Sequence, residues 1–381
     1  MGARPPNAAS ITSNSSLMTR HRSPRLLLVS ALALVVTACG GPSAAPSTRT
    51  AVPTPDSPSP TAASQSPAPT PTPTPVPTPV PLSAPLMIQV ENLYPARPQS
   101  GLSTADIVYE YDTEGGISRF TGIWFTPPPA ADRVGPVRSA RLVSVRLLRI
   151  YGGVLLYSGA SNYTQATLDQ SGLRFYNPDS RAVGSTLYRI SSRSAPHNLY
   201  SDGSQLAAFE QRVDLGQAGY ELWERTLPSS LPAGGAPASS FLVPISTSET
   251  PIFTYDAATS AYQRSEPGGG GYPATGILDD ADTGGPWEVP NIVVLQVPVI
   301  TVTQDNEDST NTPWEDGLDF DISGNGSGQL AVGGQLYPID WTQGASGPPQ
   351  LTLADGQPAP LLPGQVLIEL VSQGSTVTVR S

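Results

Sequence analysis

Residues 106–125 read DIVYEYDTEGGISRFTGIWF, two β-branched and aromatic runs on either side of Gly115-Gly116. Both glycines can take φ > 0, so the pair predicts a tight β-hairpin. A two-residue loop there pairs Asp112 with Arg119 and Tyr111 with Phe120. Side chains alternate along a strand. Ile107, Tyr109, Tyr111, Phe120 and Trp124 are then expected on one apolar face, and Glu110, Asp112, Arg119 and Thr121 on the other. The simplest account of Asp112 and Arg119 is a cross-strand ion pair worth a few tenths of a kcal/mol to about 1 kcal/mol. A share in a site is the alternative.

Downstream, residues 133–159 read RVGPVRSARLVSVRLLRIYGGVLLYSG. Gly135-Pro136 interrupts the chain, Ser139 offers an N-cap, and a helix is expected from there to about Ile150. GGVLLYSG then reads as a buried strand. Arg138 and Arg141 therefore fall at a helix N-terminus, the unfavourable end for cations by about 0.3–1 kcal/mol each. An anion at the same place reconciles them. It is either internal (Glu110, Asp112 or Glu114) or a ligand carboxylate or phosphate.

Residues 191–212, SSRSAPHNLYSDGSQLAAFEQR, place His197 in a loop ahead of a helix capped by Ser201 or Asp202 and running to about Gln211. The only other histidine is His21, and the only cysteine is Cys39. Beyond residue 39 one histidine remains, too few for a zinc site of several His or Cys ligands. Histidine-assisted catalysis must use His197, with Ser194 or Ser139 as nucleophile and Glu110 or Glu114 orienting the ring. No G-x-S-x-G elbow is present, so a structural His197 is the preferred reading and an enzyme the less favoured one.

Toward the N-terminus, Arg20, Arg22 and Arg25 precede an apolar run from Leu26 to Val36, and Val36-Thr37-Ala38-Cys39 reads as a bacterial lipobox. Residues 1–38 are expected to be a signal peptide, with Cys39 lipidated and anchored in the cytoplasmic membrane. Residues 39–85 are rich in Pro, Ser and Thr and predict a disordered tether, at most about 3.1 Å long per residue. The protein is then lipid-anchored and extracytoplasmic. The chain has no lysine. Residues 86–225 hold 13 Arg against 13 acids, and residues 226–381 hold 2 Arg against 17 acids. That contrast, with the turn-rich LPSSLPAGGAPASS between, divides the folded part into an α/β domain over 86–230 and an acidic, mainly-β domain over 236–381, an α+β chain overall. The acidic half argues against nucleic acid as a partner.

In the second half FLVPIS, PIFTYDAATSAYQRS, NIVVLQVPVITV, GQLAVGGQLYPIDW, PQLTLADGQPAPLLPGQVLIELV and STVTVR read as strands or hairpins. Two acidic stretches, at 278–284 and 305–321, lack EF-hand spacing and read as solvated loops rather than calcium sites. The GGGG at 268–271 is not followed by Lys-Ser/Thr, so no P-loop is present. No cofactor or metal is expected.

The strings ARPQSGLSTADIVYEY, EGGISRF, GPVRSAR and RSAPHNLY, in this order after a lipoprotein signal, resemble the YerB-like family of bacterial lipoproteins over about residues 86 to 380. The resemblance implies two consecutive domains and a cell-envelope setting near peptidoglycan synthesis, with no established catalytic residues. Its motif residues here are Glu110, Glu114, Arg119, Arg138, Ser139, Arg141, Arg193, His197 and Asn198. The favoured reading is a binding or scaffold protein for a cell-wall glycan, peptide or envelope protein, using Arg119, Arg138, Ser139, Arg141, Arg193, His197 and Asn198. A wall hydrolase or transferase is the alternative.

Overall fold

A computed structural model describes residues 81–126, 130–268, 272–306 and 316–380. The expected signal peptide, Cys39 and nearly all of the tether lie outside the described residues. Five strands come from the first half: β1 (Leu86–Glu91), β2 (Ile107–Asp112), β3 (Ser118–Trp124), β4 (Val154–Leu156) and β5 (Phe175–Tyr176). Five come from the second: β6 (Asn291–Val297), β7 (Asn325–Val332), β8 (Gln335–Thr342), β9 (Gln350–Leu353) and β10 (Val366–Ser372). They form one mixed sheet in the order β9-β8-β7-β6-β10-β2-β3-β1-β4-β5, which the two-residue strand Ala236–Pro237 joins as an eleventh by pairing with β8. The halves meet where β2 runs parallel to β10, with Glu110 beside Glu369. Helices α1 (Leu142–Tyr151), α2 (Asn162–Ser171) and α3 (Gly203–Val213) all belong to the first half. The chain is thus mixed α/β first and mainly β after, with strands from both sides of the turn-rich boundary in the same sheet.

The period-2 alternation of the strands builds two cores, one on each face. Val108, Phe120, Trp124, Ile292, Val294, Leu367 and Val371 face one way. That side is covered by Leu206 and Phe209 of α3 and by a second, five-stranded sheet carrying Phe241, Phe253, Tyr262 and Val289. Ile107, Tyr109, Tyr111, Val293, Leu295, Ile368 and Leu370 face the other way, against Val143, Leu147, Leu148, Tyr151 and Leu168 of α1 and α2. Burying each large apolar side chain contributes about 1.5–3 kcal/mol. Covered on both faces, the central strands are buried throughout, as in β1 and β3.

The hairpin differs from the expected register by one residue. The loop has three residues, Glu114–Gly116 in a 3-10 turn with Gly115 at φ 75° and Gly116 at φ 70°, closed by Thr113 N–H to the Ile117 carbonyl at 2.7 Å. Tyr111 therefore opposes Arg119, and Asp112 opposes Ser118. A one-residue slip exchanges faces. Phe120 and Trp124 lie with Val108 and Glu110, not with Tyr109 and Tyr111, and the expected Asp112–Arg119 cross-strand pair does not form. The Trp124 ring covers Gly122, where a Cβ would stand 2.4 Å from it.

The first helix also starts later than expected. Its N-cap is Arg141 rather than Ser139, because the Ser144 hydroxyl oxygen turns back to accept from the Arg141 N–H at 2.8 Å. Asp202 caps α3 by accepting from the Gln205 N–H at 2.9 Å, one of the two residues expected there. Helix α2 has no counterpart among the expected elements.

Candidate functional site

The motif segments GPVRSAR and RSAPHNLY lie side by side at one end of β1. Glu91 N–H donates to the Pro136 carbonyl at 3.0 Å and Arg138 N–H to the Gln89 carbonyl at 2.9 Å, so GPVR runs along the edge of β1. Val137 N–H donates to the Leu199 carbonyl at 2.7 Å, which lays the second motif on the first. Between them stands Glu91, buried to 3% exposure. Arg138 Nε reaches one carboxylate oxygen at 3.1 Å and His197 Nδ1 lies 2.9 Å from the other. The sequence singled out Arg138 and His197 but not Glu91. Its only signal was a carboxylate ending the apolar strand LMIQVE.

The other arginines of the motifs have separate, internal partners. Arg141 grips Glu114 through Nε at 2.6 Å and through Nη2, and Arg119 reaches Glu114 at 3.3 Å and the Ser139 carbonyl at 3.1 Å. Arg119 and Arg141 are buried, at 4% and 3% exposure. Of the internal anions considered, Glu114 is the one that offsets the cation at the start of α1. Arg193 donates to the carbonyls of Ala96 and Pro98. Asn198 donates to the Ile190 carbonyl at 3.0 Å and accepts from Arg189 at 2.6 Å, closing its loop.

Glu110 belongs to a third group. It is fully buried and held by Arg264 from the second sheet, with Ser118 and Asn92 also donating, at 2.5 and 2.9 Å. Arg264 is itself at 0% exposure, also bonds Glu266 at 2.6 and 2.9 Å, and stacks over Phe120 at 5.2 Å. Burial pushes the Glu110 pKa up, but Arg264 outweighs burial and holds it below the ordinary value. Glu369, beside Glu110 on β10, is pushed well up by burial and by the Glu110 charge.

These positions do not assemble the expected triad. Glu110 and Glu114 are engaged elsewhere, and Glu91 is the carboxylate that holds His197. Ser194 is exposed, and its carbonyl accepts from the His197 N–H at 3.0 Å. Among the described residues no hydroxyl hydrogen-bonds the His197 ring.

Next to the Glu91 group lies a polar cleft of about 550 Å³, within the usual range for small-molecule sites. Arg133, Arg193, Tyr188, Tyr200, Ser100 and Ser192 contribute to its walls, with Asp132 and Asp282 also lining it. Burial raises the Tyr200 phenol pKa. Arg193 and Arg133 work against the rise and Glu91 adds to it, so the ring lies within the field of all three. Arg133 is exposed, and among the described residues no carboxylate lies within ion-pair distance of its guanidinium. Arg133 was not among the expected site residues.

The acidic stretches serve the fold. Asp280 accepts from the N–H groups of Gly101 and Ser103 at 2.7 and 2.8 Å. Asp305 takes the Thr164 hydroxyl at 3.0 Å, and Asp319 holds Arg146 at 2.6 Å. Residues 307–315 lie outside the described residues, as do most of the glycines of 268–271. Among the described residues no group of three or more His, Cys, Asp or Glu is placed to hold a metal ion.

One mixed sheet shared by two modules, with a polar cleft beside the loop that carries RSAPHNLY, defines a two-module α+β protein. Residues 72–216 match the N-terminal domain, and residues 241–368 the C-terminal domain, of a family described as "Protein of unknown function (DUF3048)". The chain is 30% identical over 296 residues to the Bacillus subtilis protein named "Putative lipoprotein YerB", covering 75% of this chain and 81% of that one. The fold is similar to the crystal structure of the YerB protein from Bacillus subtilis, with a TM-score of 0.61 and 25% identity over 78% of this chain and 94% of that chain. The chain belongs to the YerB family. Among the described residues no helix is long and apolar enough to cross a membrane.

Proposed function

We propose that this is an extracytoplasmic lipoprotein, anchored to the cell membrane through lipidated Cys39, that binds an anionic cell-wall glycan or peptide in the cleft between Arg133 and Arg193. The observation that carries this reading is Arg133: a guanidinium lining a cavity of about 550 Å³, beside two tyrosines and two serines, with no carboxylate partner among the described residues. A cation so placed favours a ligand carboxylate or phosphate, and hydroxyl-rich walls suit a sugar or peptide. Arg138 and His197 support the cleft by fixing Glu91 beside it, and Arg193 ties its rim to the backbone of residues 96–98.

The test is retention of the protein on purified peptidoglycan. Arg133→Ala is expected to lower retention about tenfold, the value of one charge-assisted bond. Arg146→Ala, at another surface, serves as the control. Equal retention by Arg133→Ala and wild type would overturn the assignment. Cys39→Ser is expected to move the protein from the membrane fraction to the soluble one.

A hydrolase or transferase reading rests on one observation. Glu91 orients His197 through Nδ1 while the ring keeps 19% exposure, as a general base requires. His197→Ala with no change in cell-wall composition would dispose of it.

A further inference from the structure

Away from the cleft, a second feature combines exposed aromatic rings with buried acid. Tyr94 and Tyr272 stack with centroids 5.1 Å apart and planes at 15°, yet keep 36% and 39% exposure. Tyr272 also walls a small cavity of about 10 Å³, whose other walls include Arg97, Ser248, Glu249 and Glu266. That volume has room for a single water-sized group.

The charges around the cavity do not balance. Two guanidinium groups, Arg97 and Arg264, face four carboxylates: Glu110, Glu249, Glu266 and Glu369. Burial and the Glu110 charge push Glu369 well above the ordinary carboxylate value, and even with Glu369 set aside three carboxylates face the two guanidinium groups. Glu249 is held up at about 7 by burial, against the pull of Arg97 and with Glu266 and Glu110 adding to the rise. Glu266 is 3% exposed and receives both Arg264 bonds on Oε1, leaving Oε2 buried without a hydrogen-bond partner among the described residues. An unsatisfied buried carboxylate oxygen costs more than an ordinary lost hydrogen bond, so it marks a place where a donor belongs.

The missing donor should be cationic and small. The chain contains no lysine, so it supplies no side-chain ammonium of its own. A guanidinium is too large for the cavity, whereas an ammonium is water-sized. The tyrosine pair offers an apolar and cation-attracting surface next to it.

We propose that this cavity binds the primary ammonium of a lysine-like side chain on a peptide, with Glu266 and Glu249 accepting its hydrogen bonds and Tyr272 packing along its alkyl stem. This assignment is independent of the cleft, so either can fail without the other.

The experiment is calorimetric titration of the full chain, in detergent, with Nα-acetyl-lysine amide. The Nε-acetylated form of the same compound is the comparison probe. Saturable binding of the free amine, at least tenfold weaker for the acetylated form, is the expected result. Glu266→Gln is expected to weaken binding at least tenfold, Tyr272→Ala severalfold, and Arg133→Ala not at all. Tyr272 is exposed, so its variant decides the matter even if Glu266→Gln fails to fold. No saturable binding, equal binding of the acetylated probe, or unchanged affinity in Tyr272→Ala would overturn the proposal.

Discussion

Arg264 and Arg133 are the same side chain in opposite circumstances. Arg264 lies between the two sheets at 0% exposure, ringed by Glu110, Glu266 and Glu369 and stacked on Phe120 and Phe253. Arg133 stands exposed on a cleft wall that Asp132 and Asp282 also line, with no carboxylate within ion-pair distance of its guanidinium among the described residues. In a chain whose basic side chains other than histidine are all arginine, residue type cannot separate scaffold from site. Burial and partnering do. By that measure Arg119 and Arg141, on Glu114, stand with Arg264, while Arg138, at 28% exposure on Glu91, stands between.

The comparison breaks most readily at Arg264. Arg264→Met keeps the bulk and removes the charge, leaving Glu110 and Glu266 buried without their counter-ion. Removing one partner of a buried pair costs roughly 3–5 kcal/mol. Urea unfolding should register that loss at neutral pH, whereas Arg133→Met should change stability little. A cost for Arg264→Met under about 1 kcal/mol would place the network outside the forces that hold the sheets together.

A second effect follows from acids raised rather than lowered. Burial pushes Asp112 from its ordinary value up to about 7, with the Thr113 backbone bond opposing and the Glu249 charge adding to the rise. Glu249 is likewise held at about 7, mainly by burial. Between the ordinary carboxylate range and about 7, the folded state holds protons that the unfolded chain has lost. Stability then decreases as pH rises through that window. Glu110 is lowered instead, so its contribution is lost only at more acidic pH. The denaturation midpoint should be higher at pH 5.5 than at pH 8, and Asp112→Asn should reduce the difference while leaving the share that Glu249 carries. A midpoint that rises with pH in both proteins would contradict these assignments.

The legible part of the fold is the part written in local patterns. Short β-rich runs bounded by Gly, Pro and Asp marked the strands of the second half, Ser201 or Asp202 marked the start of α3, and the run VLL marked β4 as buried. The hairpin register failed by one residue because two adjacent glycines suggested a two-residue loop, while the Thr113–Ile117 bond encloses three. The pairing of β2 with β10 joins residues more than 250 positions apart, with no local signal for it. The site divides similarly. Arg138 and His197 were found through their motifs, but Glu91, their common partner, sits 47 and 106 residues from them. Arg133 carries no motif role and is recognised only when Tyr188, Arg193 and Tyr200 are seen around it.

The smallest expected effect tests the exposed end of the comparison. Arg146 on α1 makes bonds of 2.6 and 2.7 Å to Asp319 and one of 3.1 Å to Asp321, a geometry as good as that of Arg264. Its side chain is 33% exposed, and those of Asp319 and Asp321 are 17% and 34% exposed. Solvent screens such pairs, and they are worth about 0.2–1 kcal/mol. Arg146→Ala should therefore shift the urea midpoint only slightly. The shift should shrink further in 1 M NaCl, where the screening length is about 3 Å. A loss above about 2 kcal/mol that salt does not diminish would mean that hydrogen-bond geometry, not burial, sets the worth of an arginine in this protein. The distinction drawn between Arg264 and Arg133 would then have to rest on their partners alone.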